Sequence, residues 1–250
     1  MILFSYLIKL PILKRILPSL LRRLLILINK KNFVINYKDI LLETNILATH
    51  DRRIFFTQSY EKENFKNIFQ YIDKYKIDNF IDVGANSGIY SLIIKKKYPD
   101  IKTIAFEPIT STYEKLLRNL KLNNLENKVV TYNCGLSDKN YISKMKTQKK
   151  FGYYQSAGYA SHKKGNVTSE LRKLDDIISF NNKNILIKID TEGHEKFVIE
   201  GAKKLLKANR VFLQVEIINN FLEINKILTK IKFVLLFSFN NDYFYKKIEY

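Results

Sequence analysis

The chain has 250 residues, enough for one sizeable α/β core and an additional segment. Its 46% apolar and 13% aromatic content excludes wholesale disorder, and its single cysteine, Cys134, excludes an intramolecular disulfide and a cysteine zinc site. The formal charge of +19 is scattered as Lys pairs and triplets such as Lys95–Lys97 and Lys163–Lys164, so it fits either a compositional bias of the genome or an anion-binding surface.

Met1 to about Asn29 is mostly apolar, but Lys9, Lys14, Arg15, Arg22 and Arg23 interrupt it. A spanning helix needs roughly 20 uninterrupted apolar residues, and a secretory signal needs one apolar run ending in a small-residue cleavage site. Neither pattern is present. Pro11 and Pro18 predict a break or kink. Residues 1–50 therefore read as a basic, apolar helical arm ahead of one domain at 51–250. The arm either packs on that domain or, in a cytoplasmic protein, lies peripherally on the inner membrane face with its Lys and Arg toward the headgroups.

Short apolar runs at Ile40–Leu42 and Arg53–Phe56 read as strands. Tyr60–Tyr75 places Phe65, Ile68, Phe69 and Ile72 at helical spacing. The chain then alternates. Strands are expected at Asn79–Gly84, Thr103–Phe106, Val129–Asn133, Ile185–Ile189 and Val211–Glu216, and helices at Tyr90–Lys97, Thr112–Leu122, Lys173–Phe180, Glu195–Leu206 and Phe221–Lys230. Met145–Glu170 is polar and aperiodic and reads as a lid or insertion. Phe233–Phe239 and Tyr243–Ile248 form a hairpin whose turn looks longer than an Asn-Gly type. The expected fold class is α/β, a doubly wound and mostly parallel sheet covered on both faces, with antiparallel strands from the C-terminal hairpin at one edge.

Phe80–Gly88 reads F-I-D-V-G-A-N-S-G, a buried strand running through a glycine turn into a helix. Gly84 permits the tight turn and Gly88 close packing at the helix start. Glu107, in A-F-E-P after the second strand, stands where this topology needs an acid for ribose hydroxyls. A nicotinamide dinucleotide would require a middle glycine for its pyrophosphate, and Gly84-Ala85-Asn86 lacks it. S-adenosylmethionine has no pyrophosphate but presents an ammonium, which Asp82 can serve directly or through water. Methyl transfer is therefore the preferred reading of the turn.

Lys188–Glu195 reads K-I-D-T-E-G-H-E at the end of another apolar strand, placing Asp190, Glu192, His194 and Glu195 in one strand-to-helix turn. Helix capping explains one such acid, but four titratable groups exceed what a cap needs.

Together with G-L-S-D-K (Gly135–Lys139), K-L-D-D (Lys173–Asp176) and E-G-A (Glu200–Ala202), these motifs resemble the FkbM-type methyltransferases in order and spacing over roughly Asn79 to Leu206. Upstream, S-Y-E (Ser59–Glu61) is similar to that family's approach segment. The resemblance implies a Rossmann-like class I methyltransferase sheet and S-adenosylmethionine-dependent O-methylation of a saccharide, a lipid-linked glycan or a natural product. By position it puts Asp82, Gly84, Asn86 and Gly88 at the methionine end, Glu107 at the ribose, Ser137–Asp138 near the adenine and Asp190 at the transfer site. Residues 1–50 and Met145–Glu170 match no pattern and are the expected acceptor determinants.

An alcohol needs a base or a metal to lose its proton at pH 7, so Asp190 or His194, with Glu192 beside them, is the expected base. Alternatively, Asp190, Glu192 and Glu216 serve as oxygen ligands to a divalent cation. Two further readings compete: an RNA methyltransferase on the same fold, on the strength of the charge, and an inactive membrane-docked binding protein. The first is disfavoured by the lack of an aromatic recognition module, the second by the intact glycine turn.

Overall fold

The computed structural model describes residues 11–58, 60–145, 147–150, 153–156, 165 and 167–248. Helix α1 (Pro11–Leu27) leads into the hairpin β1 (Asn32–Tyr37) and β2 (Ile40–Asn45), followed by α2 (Thr49–Thr57) and α3 (Lys62–Tyr75). Then come β3 (Asn79–Val83), α4 (Ile89–Lys97), β4 (Lys102–Phe106), α5 (Thr110–Leu122) and β5 (Val129–Tyr132). An excursion follows, comprising β6 (Gly135–Leu136), β7 (Tyr141–Met145), β8 (Thr147–Lys150), β9 (Tyr153–Ser156) and β10 (Val167–Arg172). The chain returns through β11 (Asn184–Ile189), α6 (Glu195–Gly201), α7 (Lys203–Ala208), β12 (Arg210–Glu216), α8 (Phe221–Lys230), β13 (Phe233–Phe239) and β14 (Asp242–Lys247).

Seven strands form the central sheet in the order β13-β14-β12-β11-β3-β4-β5. The five strands from β12 to β5 pair in parallel, and β14 runs antiparallel to both β12 and β13. The fold is α/β, with a mostly parallel sheet of the Rossmann-like kind. Every residue of β3 is buried, because helices cover both faces. Alternate residues feed two cores. Phe80, Ala105, Leu186 and Phe212 pack against α3, α4 and α5, whereas Ile81, Ile104, Ile187 and Leu213 pack against α6, α7 and α8. Chain order reverses between β3 and β11, which opens a crevice at the strand ends where such sheets bind ligands.

Several local expectations are corrected. Arg53–Phe56 is helical, within α2, since an apolar run of four residues carries no period that separates strand from helix. Among the described residues of 1–50, Pro11–Leu27 and the first two residues of α2 are helical, while Asn32–Asn45 is a β-hairpin integrated into the first core through Ile35, Tyr37, Ile40 and Leu42. Asn123 bonds both the N–H and the carbonyl of Leu41, and Asn119 accepts from the N–H of Glu43, so α5 completes the ladder edge of β2. Helix α1 runs through Pro18 without ending, and Pro11 sits in its first turn, where no intrahelical N–H is needed. The expected helix at Lys173–Phe180 shrinks to a 3₁₀ turn at Leu174–Asp176, and that at Glu195–Leu206 breaks at Ala202. The β13–β14 turn has two residues, Asn240 and Asn241, with Asn240 at φ 54° supplying the left-handed backbone a tight hairpin needs. In the Met145–Glu170 stretch, β10 pairs with β7 and β8 with β9, and apart from Gly165 the remainder lies outside the described residues, as do Met1–Leu10 and Ser59. Among the described residues no helix is long and apolar enough to cross a membrane.

Candidate active site

The residue that follows or ends each central parallel strand turns toward one cavity of about 360 Å³: Gly84 after β3, Glu107 after β4, Asp190 after β11 and Glu216 ending β12. That volume lies in the range of about 300–1,000 Å³ usual for small-molecule sites. The β3–α4 turn is tied down internally. The N–H groups of Gly84 and Ala85 both donate to the Phe106 carbonyl at 3.0 and 2.9 Å, Asn86 N–H donates to Glu107 Oε2 at 2.9 Å, and Gly88 N–H to the Ala85 carbonyl at 2.8 Å. Four of the five amides from Gly84 to Gly88 are thus already satisfied, so the turn is not an amide cradle for a pyrophosphate.

Glycine is required at two of these positions for different reasons. A Cβ on Gly84 (φ +77°) would lie 1.9 Å from the Asp190 carbonyl oxygen, so the turn presses directly against the β11 end. At Gly88 (φ +85°) it would lie 2.2 Å from Leu116 Cδ1, which is packing of α4 against α5.

Glu107 is buried, yet it lines the cavity. Its Oε1 accepts from Ile109 N–H and its Oε2 from Asn86 N–H, each at 2.9 Å. Burial pushes its carboxyl up to about 7, against the pull of those two hydrogen bonds. Asp82 is wholly buried beneath the turn and does not line the cavity. Its Oδ2 accepts from Ser91 Oγ at 2.7 Å and Ser91 N–H at 3.2 Å, while Oδ1 has no hydrogen-bond partner among the described residues. Burial raises this carboxyl, and Lys188, its register partner on β11, opposes the rise.

Lys188 links the buried floor at Asp82 to Asp190 at the cavity. Its Nζ bonds Asp190 Oδ2 at 3.0 Å and lies 4.7 Å from the Tyr90 ring centroid. Burial alone would raise Asp190, but Lys188 and a hydrogen bond from Glu216 hold it below the ordinary carboxylate value. Burial and the Asp190 charge push Glu216 up to about 8. The Ile189–Val215 register sets Asp190 and Glu216 side by side at the end of the ladder, so the two carboxyls form a proton-sharing pair.

Sequence-predicted residues divide sharply. Gly84, Asn86, Glu107, Asp190 and Glu192 line the cavity. Ser137, Asp138 and His194 do not. His194 Nε2 lies 2.9 Å from Ser137 Oγ in a buried contact, and burial lowers its imidazole to about 4 against the opposing pull of Asp138. A Cβ on Gly201 would sit 1.9 Å from the Ser137 carbonyl. G-L-S-D, the histidine of E-G-H-E and the glycine of E-G-A therefore meet one another and lock α6 against β6, away from the cavity. Glu195 closes the intervening turn by accepting from Thr191 N–H, Thr191 Oγ and Gly193 N–H. Among the described residues no three His, Cys, Asp or Glu side chains come together as a metal ligand set, so Asp190, Glu192 and Glu216 are not grouped as one.

The roof was missed in the motifs. His50 and Arg53 reach the cavity from α2, Tyr60 and Glu61 from the loop before α3, and Asp242 from β14. Only the S-Y-E segment signalled any of them. Glu61 accepts from Tyr90 Oη at 2.9 Å, and Asp242 from Gln214 and Asn64, each at 2.7 Å. Six carboxyl groups (Glu61, Glu107, Asp190, Glu192, Glu216 and Asp242) face two fixed cations, Arg53 and Lys188, so the cavity is acidic inside a strongly basic protein.

Comparison with known proteins agrees with this geometry. The model of the methyltransferase FkbM domain matches residues 82–245, well over half of the chain. The chain belongs to the FkbM methyltransferase family. Methyltransferase sdnD of Sordaria araneosa is 49% identical over 57 residues, 23% of this chain and 22% of that protein. Methyltransferase 1 of Beauveria bassiana (strain ARSEF 2860) is 42% identical over 60 residues, 24% of each. The matched stretch thus spans less than a quarter of the length of these relatives. The crystal structure of methyltransferase FkbM from Methylobacillus flagellatus KT aligns with a TM-score of 0.48 at 18% identity, over 68% of this chain and 43% of that one. The family match begins at Asp82, so His50, Arg53, Tyr60 and Glu61 stand outside the matched FkbM domain while lining its cavity.

Proposed function

We propose that the protein is an S-adenosylmethionine-dependent O-methyltransferase that modifies a hydroxyl of a saccharide, a lipid-linked glycan or a natural product. The single observation that carries the cofactor choice is the self-satisfied turn. With the amides of Gly84, Ala85, Asn86 and Gly88 engaged, the turn suits a ligand without a pyrophosphate. The acid-lined cavity fits a cationic donor for the same electrostatic reason that it repels a polyanion, which favours a small acceptor over RNA.

Gly84, Ala85 and Asn86 would hold the donor's methionine portion, and both Glu107 oxygens keep a lone pair for ribose hydroxyls. The bound donor supplies a methyl group already activated by its sulfonium. The chain must then align the acceptor and take its proton. The Asp190–Glu216 pair is suited to that step, since Lys188 stabilises the Asp190 carboxylate while Glu216, raised to about 8, holds the shared proton.

The test is a screen of hydroxylated acceptors with methyl-labelled S-adenosylmethionine, preceded by calorimetric titration with S-adenosylhomocysteine. Label retained through mild alkali, as a methyl ether is and a methyl ester is not, is the expected outcome. A well-folded protein that does not bind S-adenosylhomocysteine would overturn the reading.

A further inference from the structure

The first 38 residues contain eight Lys and Arg and no Asp or Glu. Within them, α1 presents Leu20 (54% exposed), Leu24 (53%) and Leu27 (82%), with Ile28 (54%) just beyond its end, at spacings that make one stripe. From Pro18 to Ile28 no residue is buried. A helix that packed on its own domain would hide this stripe, and α1 shows it to solvent. Cations flank the stripe: Arg23 is exposed on the helix, with Lys30 just past its end.

The junction with α2 carries a second, independent signal. Arg22 Nε is buried without a hydrogen-bond partner among the described residues. Its guanidinium lies close enough to Arg52 that burial and the Arg22 charge together lower the Arg52 pKa. The acid next in the chain, Asp51, is turned away to Lys115 and the N–H of Asn45. A buried, unpartnered Arg22 Nε whose charge bears on Arg52 is a place where an anion would be stabilised.

We propose that α1 docks the protein on an anionic lipid bilayer, its leucine stripe entering the acyl boundary while Arg22 and Arg52 receive the phosphate of a headgroup. Apolar burial and attraction of basic residues to an anionic surface act together in such helices. The geometry gives the docking a consequence. Arg52 is on α2, the helix whose His50 and Arg53 line the cavity, so docking brings the cavity roof to the bilayer. A membrane-held acceptor would then enter without leaving its lipid. Docking itself does not rest on the methyltransferase reading.

The experiment is co-sedimentation of the full chain with vesicles of phosphatidylcholine, alone or mixed with phosphatidylglycerol, across a salt series. Two double variants accompany it, Leu24→Glu with Leu27→Glu and Arg22→Gln with Arg52→Gln. The wild type should pellet with the anionic vesicles only, progressively less as salt rises. Each double variant should lose on the order of tenfold in partitioning while its thermal melting shows a folded protein. Equal binding to neutral vesicles, unchanged binding by the leucine variant, or no binding at all overturns the proposal. So does a concentration-dependent dimer in sedimentation velocity that the leucine variant abolishes while vesicles are ignored, since a second copy would then be the occupant.

Discussion

Replacing Glu107 by Gln tests the cofactor site at the group on which it turns. The carboxylate accepts one backbone N–H on each oxygen at 2.9 Å, and its remaining lone pairs are the ones available to ribose hydroxyls. Gln keeps the shape, offers a single oxygen and aims an NH₂ group at one of the two backbone donors. Hydrogen bonds to a charged acceptor are worth about 1.5–3 kcal/mol, so affinity for S-adenosylhomocysteine should fall by about 10- to 150-fold. The wild type should also show a pH signature. Glu107 titrates at about 7 in the folded protein because burial disfavours its charge, and only the ionised form is a full acceptor. Affinity should therefore strengthen as pH rises through about 7, and the Gln variant should lose that component. Stability should run the other way. A carboxyl whose folded pKa is raised contributes stability present below its unfolded value, about 4.3 for Glu, and lost as pH climbs through the folded one. The wild type should thus lose melting temperature between those limits, and the variant should lose less. Calorimetric titration and thermal melting across pH 5–9 read both effects. Wild-type affinity in the Gln variant would refute the placement of ribose at Glu107.

Other positions give separate readouts. Gly84→Ala combines a left-handed backbone with a Cβ driven onto the Asp190 carbonyl; at about 1–2 kcal/mol for the backbone and 1–3 for the overlap, melting should fall by roughly 4–20 °C. Gly193→Ala meets no atom within 4 Å at φ +107°, so it should show only the backbone part in the same assay. Once an acceptor is in hand, Glu216→Gln should lower kcat by about 10²- to 10⁴-fold with S-adenosylhomocysteine affinity little changed, and should remove the rise in kcat through about pH 8 expected from its raised carboxyl. A variant with full kcat would take Glu216 out of proton transfer. Asn123→Ala leaves both the N–H and the carbonyl of Leu41 without their partner, so melting should drop by about 2–10 °C if the β1–β2 hairpin belongs to the core.

The central sheet was legible because a parallel strand covered on both faces is mostly apolar, and β3, β11 and β12 carry such runs, interrupted inside by Asp82, Lys188 and Gln214, with a turn signal at the end of β3 and β11. The hairpin at Asn32–Asn45 was not. Its strands are only six residues long, with β1 half-exposed, and its edge is satisfied by Asn119 and Asn123, 76 and 82 residues further on. Sequence spacing likewise cannot tell a glycine that admits a ligand from one that admits a helix. Gly84 and Gly88 stand in one motif, yet one abuts the strand end at Asp190 and the other abuts Leu116. His194, expected beside Asp190 as a candidate base, lies away from the cavity for the same reason. Four titratable groups in one turn do suggest chemistry, but α6 begins there, and the pitch of a helix start sends Glu195 into the turn and His194 onto Ser137, leaving Asp190 and Glu192 to the cavity.

Charge shows why composition misleads when read without topology. A protein at +19 invites a polyanionic substrate, yet the strand ends, the loop before α3 and β14 deliver six carboxyls to one cavity. Only Asp190 and Glu192 share a turn, and the other four arrive from separate places in the chain, so no single window of sequence reveals the full concentration. The cations are distributed oppositely. They cover the outside and gather, without any acid to offset them, in the segment that contains α1. The proposed cationic donor would be drawn inward and the proposed anionic surface outward, and α2 takes part in both, with His50 and Arg53 lining the cavity and Arg52 within reach of the Arg22 charge. One nine-residue helix thus stands between the two fields, and it lies outside the matched family domain. If acceptor choice depends on presentation at a surface, exchanging α1 and α2 should alter which acceptors are modified and leave S-adenosylhomocysteine affinity, which we propose is governed by Glu107 and the Gly84 turn, where it was.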